Sequence, residues 1–529
     1  MTFPHSWEFP YGSQRMPVIA DSVVATSQPL ATQAGVAVMR AGGNAVDAAL
    51  AAAITLTVVE PTSNGIGSDA FGLLWDGSRL HGFNGSGRAP AALSPERFRG
   101  KTEIPETGWE PVTVPGAVDS WVQLSERFGR LPFEALFADA IRYAREGFAV
   151  SPVTARAWAG AAERFRRFPG FEETFLPGGR APGPGERFHS AGQARTLEEI
   201  AQTKGESFYR GALAAKIGAH ARSSGGLLTE ADLGAHRGEW VAPLEQEFCG
   251  GTLHELPPNG QGLAALIAVG ILRQREIATL PPDSADALHL QVEAMRIAFA
   301  EAAEHVGDPA FMDAPLESFL DERFLAAGAA EIDMAAAGTP RSRIPRGGGT
   351  VYLATADAEG RMVSFIQSNF QGFGSGIVIP DTGISLQNRG HGFSLEAGHP
   401  NQAAGNKRPF HTIIPGFVTG NGKPLLAFGV MGGHMQAQGH VQMMTRIFAW
   451  HQNPQAAADA PRFFLRKDSS LALEAGIAPE VADELRRRGH RVVYPGPEGA
   501  FGGAQLVQKL GDGWCAASDP RKDGQAAGF

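Results

Sequence analysis

"RGGGTVYLATADAEGRMVSFIQS", residues 346–368, sets three consecutive glycines directly before Thr350, and the threonine opens a segment with strand character. "TVYLATAD" and "RMVSFIQS" flank the turn "AEG", so the stretch predicts a β-hairpin whose first strand starts on a hydroxyl. A threonine hydroxyl is a poor nucleophile at neutral pH and needs a base beside it. The residue's own α-amine meets that need. Its pKa of about 7.7–8.0, against about 10.4 for lysine, leaves a useful neutral fraction at working pH. The amine exists only once the peptide bond before Thr350 is cut. The chain can make the cut itself: the Thr350 hydroxyl attacks the carbonyl of Gly349, and water resolves the ester. Such an attack asks for a bent backbone just upstream, where glycine carries the least steric cost. By itself, Gly-Gly-Gly-Thr before a strand is also an ordinary flexible loop, and other segments have to separate the two readings.

The chain has 529 residues, 43% hydrophobic and 19% charged, with a net charge of −9. That is a globular composition with ample length for a large core. Charges of both signs are mixed and no basic stripe occurs, which argues against a nucleic-acid partner. Cys249 and Cys515 are the only cysteines. They make no disulfide framework, and a reducing compartment fits. The N-terminal "MTFPHSWEFPYGSQRMPVIADS" lacks a charged start followed by an apolar run, and no apolar stretch is long enough to span a bilayer. A cytoplasmic protein without a membrane partner is expected.

Around the hairpin, the first half alternates helix and strand signals. "AVDAALAAAITLTVVEP" (45–61) reads as a core helix running into a strand, "TQAGVAVMRAGG" (32–43) as a short helix, and "FGLLWDGSRLHGFN" (71–84) as a hairpin turning at Asp76-Gly77. "PFEALFADAIRYAREG" (132–147) and "SADALHLQVEAMRIAFAEAAEHVGDP" (284–309) carry helical spacing. "LPGGRAPGPGERF" (176–188) and "AAAGTPRSRIPRGGG" (335–349) read as loops. Beyond Thr350 the chain is β-rich, with strands in 374–388 and 423–433 and a helix over 440–450.

"GGNAVDAALAAAITLTVVEPTSNGIGSDAF" (42–71), "VTVPGAVDSW" (112–121), "VEAMRIAFAEAAEHVGDP" (292–309), "GFGSGIV" (372–378), "GNKRPFHTIIP" (405–415) and "GGHMQAQGHVQ" (432–442) follow one another in this order. In that order they resemble the γ-glutamyltransferase family, from about Ile19 to near the C-terminus. The resemblance implies an α+β fold, the αββα four-layer sandwich of N-terminal-nucleophile (Ntn) hydrolases. It implies a proenzyme that cuts itself between Gly349 and Thr350 into a large chain, 1–349, and a small chain, 350–529, which stay associated as one intertwined domain. A dimer of such heterodimers is compatible with it. Thr350 matches the family's nucleophile. Gly432 and Gly433 match the glycine pair of the oxyanion hole, and a strand ending in Gly-Gly before a helix leaves N–H groups free for a developing negative charge. Ser368 stands where the family has a second threonine that hydrogen-bonds the nucleophile.

The substrate positions depart from the family pattern. In "NGSGRAP" (84–90) Ser86 takes the place of the carboxylate-binding arginine, and Arg88 lies two residues later. In "NRGHGFS" (388–394) Gly392 replaces the aspartate that holds the substrate ammonium, leaving Asn388, Arg389 and His391. His411 and Thr412 replace a serine pair. An ammonium without an acid, beside arginine, costs several kcal/mol in a desolvated site. The expected small-molecule substrate is therefore an amide whose acyl group is anionic and not zwitterionic, glutaryl-like or oxamate-like, bound through Arg389 or Arg88. Ion pairing is the other reading of both arginines. The rivals are a standard γ-glutamyltransferase or glutathione hydrolase, and an unprocessed binding protein.

No cofactor is expected. His434 and His440 are six apart, His399 and His411 twelve apart, and HExxH does not occur, so no metal site is expected. "GIGSDAFG" (65–72) and "GFGSG" (372–376) fit no phosphate-loop pattern, and no G-x-S-x-G surrounds Ser68. Asp69 and Asp308 read as capping or pairing groups.

Overall fold

A computed structural model describes residues 11–12, 15–339 and 349–529. Gly347, Gly348 and positions 340–348 of the expected loop lie outside the described residues.

The predicted hairpin forms. Gly349–Ala356 pairs antiparallel with Met362–Phe370, and both strands are central in a seven-stranded sheet. From edge to edge this sheet runs Gln525–Gly528, Val23–Thr26, Gly349–Ala356, Met362–Phe370, Asp69–Trp75, Leu80–Asn84 and Glu239–Val241. A second seven-stranded sheet runs Val18–Ala20, Gly513–Ser518, Gly503–Leu510, Lys423–Met431, Gly416–Gly420, Gly251–Glu255 and Leu244–Phe248. Side-chain alternation along the strands sorts residues into layers. On the Thr350 strand, Val351 and Leu353 face the helices of the first half. Tyr352, Ala354 and Ala356 face the second sheet, where they join Phe417, Ala427, Met431 and Val507. The far face of the second sheet, with Leu426, Phe428 and Val430, packs on the helices Gly262–Arg273, Ala285–His305 and Met435–Met444. Helix, sheet, sheet and helix thus stack as four layers around three cores.

The 71–84 hairpin and the 284–309 helix form as read. Asp76 accepts from the N–H groups of Ser78 and Arg79 at the hairpin turn, and Ser284 caps Ala285–His305. The 32–43 helix begins earlier, at Pro29, with the Gln28 side chain as its cap. Four expectations are corrected. Residues 45–59 are one helix with no strand: Asn44 and Asp47 form a capping box, and all fifteen residues are buried. The β-branched tail Thr55–Val59 is helical because it is enclosed on every side, and packing overrides its strand preference. The 132–147 helix splits into a 3₁₀ turn, Phe133–Phe137, and an α-helix, Ala138–Glu146. The tighter turn eclipses positions three apart and brings Phe133 and Leu136 to the same core. In 374–388 only Val378–Ile379 and Ile384–Ser385 pair as strands. The helix expected over 440–450 starts at Met435 and closes in a π-turn, Thr445–Ala449.

Candidate active site

Thr350 is buried at the start of its strand. A register shift in the ladder falls at Thr350, between the pairs Gly349–Phe370 and Val351–Gln367, and the hydroxyl oxygens of Thr350 and Ser368 are 3.2 Å apart. The Ser368 hydroxyl donates to the carbonyl oxygen of Gly349 at 2.6 Å, and its oxygen accepts from the N–H of Phe370 at 2.8 Å. The carbonyl that self-cleavage would attack is therefore already polarised by a donor. At Gly349 a Cβ would collide with the backbone nitrogen of Gly372. Close approach, not a left-handed φ, excludes a side chain there. The left-handed residue is the one across the ladder: Phe370 pairs with Gly349 and has φ 76°. For a bulky side chain that conformation costs about 1–3 kcal/mol, and such strain gathers at functional sites.

Arg389 lies against this corner. Its guanidinium stacks 4.1 Å from the centroid of the Phe370 ring, and Nη1 donates to the Thr412 hydroxyl at 2.9 Å. The side chain is 0% exposed, and among the described residues Nε and Nη2 have no partner. Burial pulls its pKa down to about 9, opposed by Asp69, so it is still cationic at neutral pH. Nε and Nη2 form one fork of the guanidinium, the geometry that accepts both oxygens of a carboxylate.

Other expected site residues support this corner. His411 donates Nε2–H to Asp69 at 3.1 Å, while its Nδ1 accepts from the N–H of Ile413 at 3.4 Å. Burial and the Arg389 charge hold His411 neutral. Asp69 also accepts from the N–H groups of Gly87 and Gly116, and burial pushes its pKa up to about 7 against the pull of Arg389. Asn388 bonds the Glu106 carbonyl and Gln371, which fixes the loop carrying Arg389. Gly432 and Gly433, at φ 128° and 60°, turn the chain from Lys423–Met431 into the helix Met435–Met444. Gln261 bridges the carbonyls of Thr412 and Gly433, locking the turn to the Arg389 side of the site.

Two expected residues are engaged elsewhere. Arg88, 39% exposed, bonds Asp308 at 2.8 Å, Glu239 at 3.3 Å and the Asn406 carbonyl. Ser86 is buried and donates to Asn84 at 2.7 Å. Both belong to packing around the 84–90 loop, and of the two arginines only Arg389 keeps a donor fork unpaired among the described residues. Sequence reasoning missed Gln261, Phe370 and Gln436. Gln436 Nε2 lies 3.4 Å from Thr350 Oγ1, and all three reach the site through contacts distant in the chain, which no local motif signals.

A family model described as gamma-glutamyltranspeptidase matches residues 31–529. The chain belongs to that family. It is 36% identical over 524 residues to the glutathione hydrolase-like YwrD proenzyme of Bacillus subtilis (strain 168), covering 96% of this chain and 99% of that one. It is 38% identical over 520 residues to the oxamate amidohydrolase proenzyme of Klebsiella pneumoniae, covering 94% and 97%. Cephalosporin acylase from Bacillus halodurans superposes with a TM-score of 0.93 at 46% identity, over 99% of both chains. The fold is accordingly the α+β Ntn-hydrolase sandwich, and the protein is an amidohydrolase of the gamma-glutamyltranspeptidase family.

One cluster lies outside every sequence expectation. His289, Glu293 and His490 present ligand atoms within 4.8 Å of one another. Glu293 is held by Arg296 and by the N–H of Gly338, and His289 bonds Asp333 and His490. The adjacent guanidinium opposes a cation. The cluster's visible work is to tie 333–338 to the helix Ala285–His305. No helix of the described residues is long and apolar enough to cross a membrane.

Proposed function

We propose that the chain matures by cutting itself between Gly349 and Thr350, and then hydrolyses a small amide whose acyl group carries a carboxylate without a neighbouring ammonium. Thr350 is the nucleophile and its freed amine the base. Gly432 and Gly433 supply the oxyanion donors, and Ser368 orients the reacting oxygens. Arg389 holds the acyl carboxylate. The observation that carries the substrate class is the buried Arg389 fork, unpaired among the described residues and stacked on the residue that faces the scissile bond. Leaving such donors buried and unpaired costs about 1–3 kcal/mol or more, which a bound carboxylate recovers. The neutral His411 and the glycine at position 392 offer an ammonium no acid. The relative named as an oxamate amidohydrolase fits an acyl group of this kind.

The test compares hydrolysis of a glutaryl anilide, oxamate and a γ-glutamyl anilide. A preference for either of the first two is expected; a preference for the third restores the standard γ-glutamyl activity. Denaturing electrophoresis of the same material should give two fragments, the smaller beginning at Thr350. Thr350→Ala should give one uncut, inactive chain. An active wild type that stays uncut defeats the mechanism.

A further inference from the structure

We propose that Gln436 is a further catalytic group, a hydrogen-bond donor to Thr350 Oγ1 that carries the oxygen's negative charge in both half-reactions. This rests on the reading of Thr350 as nucleophile. Gln436 lies in the first turn of the helix Met435–Met444, is 0% exposed, and its Nε2 stands 3.4 Å from Thr350 Oγ1. Catalytic hydrogen bonds are often this long before substrate binds and tighten in the reacting complex.

The orientation of the amide decides its role. An amide's nitrogen and oxygen ends are told apart by the network around them. Here Gln436 Oε1 accepts from the N–H of Ile414 at 3.1 Å. A backbone N–H can only donate, so the oxygen must face Ile414 and the NH₂ must face Thr350. Gln436 thus cannot take the hydroxyl proton. It steers that proton toward Ser368 and the α-amine, and it meets Oγ1 with a positive dipole.

Charge appears on Oγ1 twice. In acylation the Oγ1–H bond breaks, its proton passes to the α-amine, and Oγ1 bonds the acyl carbon. The amide C–N bond then breaks and the proton leaves on the departing nitrogen. In deacylation water bonds the acyl carbon and gives a proton to the amine. The Oγ1–C bond breaks, and that proton returns to Oγ1. A donor fixed on Oγ1 stabilises the alkoxide as nucleophile and as leaving group, without having to reorganise. The same donor serves the attack on Gly349 during maturation. Its placement is shared with the rest of the site, because Ile414 follows Thr412, the partner of Arg389, by two residues.

The test uses self-cleavage, which needs no knowledge of the substrate, and then turnover of whichever amide the wild type hydrolyses fastest. Gln436→Ala and Gln436→Glu are made in the full chain and followed by electrophoresis after cell-free synthesis. Gln436→Ala should slow cleavage and lower kcat by about 10²–10³-fold, the range for loss of one such donor, with KM within about threefold. Gln436→Glu keeps an acceptor for Ile414 but loses the donor once ionised. Its rate relative to wild type should be low at pH 8 and rise as pH falls and the carboxyl regains a proton. A Gln436→Glu variant that matches wild type at pH 8, or whose deficit is the same at every pH, overturns the proposal. So does a loss in Gln436→Ala that is matched by an equal loss of folded protein on thermal melting. If the wild type makes no break before Thr350, the nucleophile reading fails first and takes this inference with it.

Discussion

The unusual residues of this site sit at one corner and hold one another there. Phe370 is left-handed opposite Gly349, Ser368 donates to the Gly349 carbonyl, and Arg389 stacks on the Phe370 ring. Ser368→Ala removes the donor on that carbonyl. It should slow self-cleavage by about 10²-fold or more while leaving thermal stability within about 1 kcal/mol, checked by the time course of the two fragments. Arg389→Met should lower kcat/KM for an anionic acyl amide by about 10²–10³-fold and spare self-cleavage. It should also raise the melting temperature of the unliganded protein, because a buried, half-paired charge is exchanged for an apolar chain of similar length. A melting temperature that falls would show the arginine to be a structural group. The threonine and the glycine before it were readable in advance. The reason for Gly349 was not, since it lies in the approach of Gly372, 23 residues further along.

At the scale of elements, the site depends on how closely the two sheets meet. Lys423–Met431 crosses over the Thr350 strand, and a Cβ on Gly429 would run into the Tyr352 ring. Gly429→Ala should therefore push the sheets apart. A loss of about 1–3 kcal/mol in denaturant unfolding is expected, together with slower self-cleavage, because Gly432 and Gly433 move with that strand. The hairpin was legible because its turn and flanking runs are local. Residues 45–59 were misread at their end because burial on all sides, rather than intrinsic preference, makes Thr55–Val59 helical. The 132–147 helix broke for a related reason: Phe133 and Leu136 answer to a core that the spacing alone does not describe.

Over the whole molecule, strands from before and after residue 349 are interleaved in one sheet, with Val23–Thr26 held between Gln525–Gly528 and Gly349–Ala356. Cutting the Gly349–Thr350 bond would leave two chains that share a ladder. They should migrate as one species under native conditions and part only in denaturant, a result read by native against denaturing electrophoresis. Buried histidines set the acid limit. Burial holds His236 and His434 at about 3, and His254 and His490 at about 4. Unfolded histidines titrate near 6.5, so between about pH 6.5 and 4 the unfolded chain binds protons that the folded chain refuses, and stability falls with pH. Glu60 and Asp69 act oppositely. Burial raises both to about 7, so their contribution is greatest at low pH and is lost as pH rises through 7. His411, held neutral by burial, adds to the histidines and Glu255, raised by burial, to the acids, so the histidines still outnumber the acids and leave a net loss on the order of 1–3 kcal/mol per pH unit between pH 6 and 5. Melting temperatures at pH 7, 6 and 5 should fall in that order.

What the sequence determined by itself was the chemistry that lies along the chain: a hydroxyl after glycines, a hairpin behind it, Gly-Gly between strand and helix, and ordered segments that name a family. Those signals survive because each is carried by neighbours in the chain. The tertiary structure alone decided which arginine keeps an open fork. Arg88 and Arg389 look alike in sequence, but Asp308, 220 residues from Arg88, neutralises one, while Phe370 and Thr412 leave the other half-paired. It also decided that Gln436 faces the threonine with a donor, since the N–H that orients it belongs to Ile414, 22 residues back. Pairing and orientation are properties of who arrives from elsewhere, and packing alone settles that.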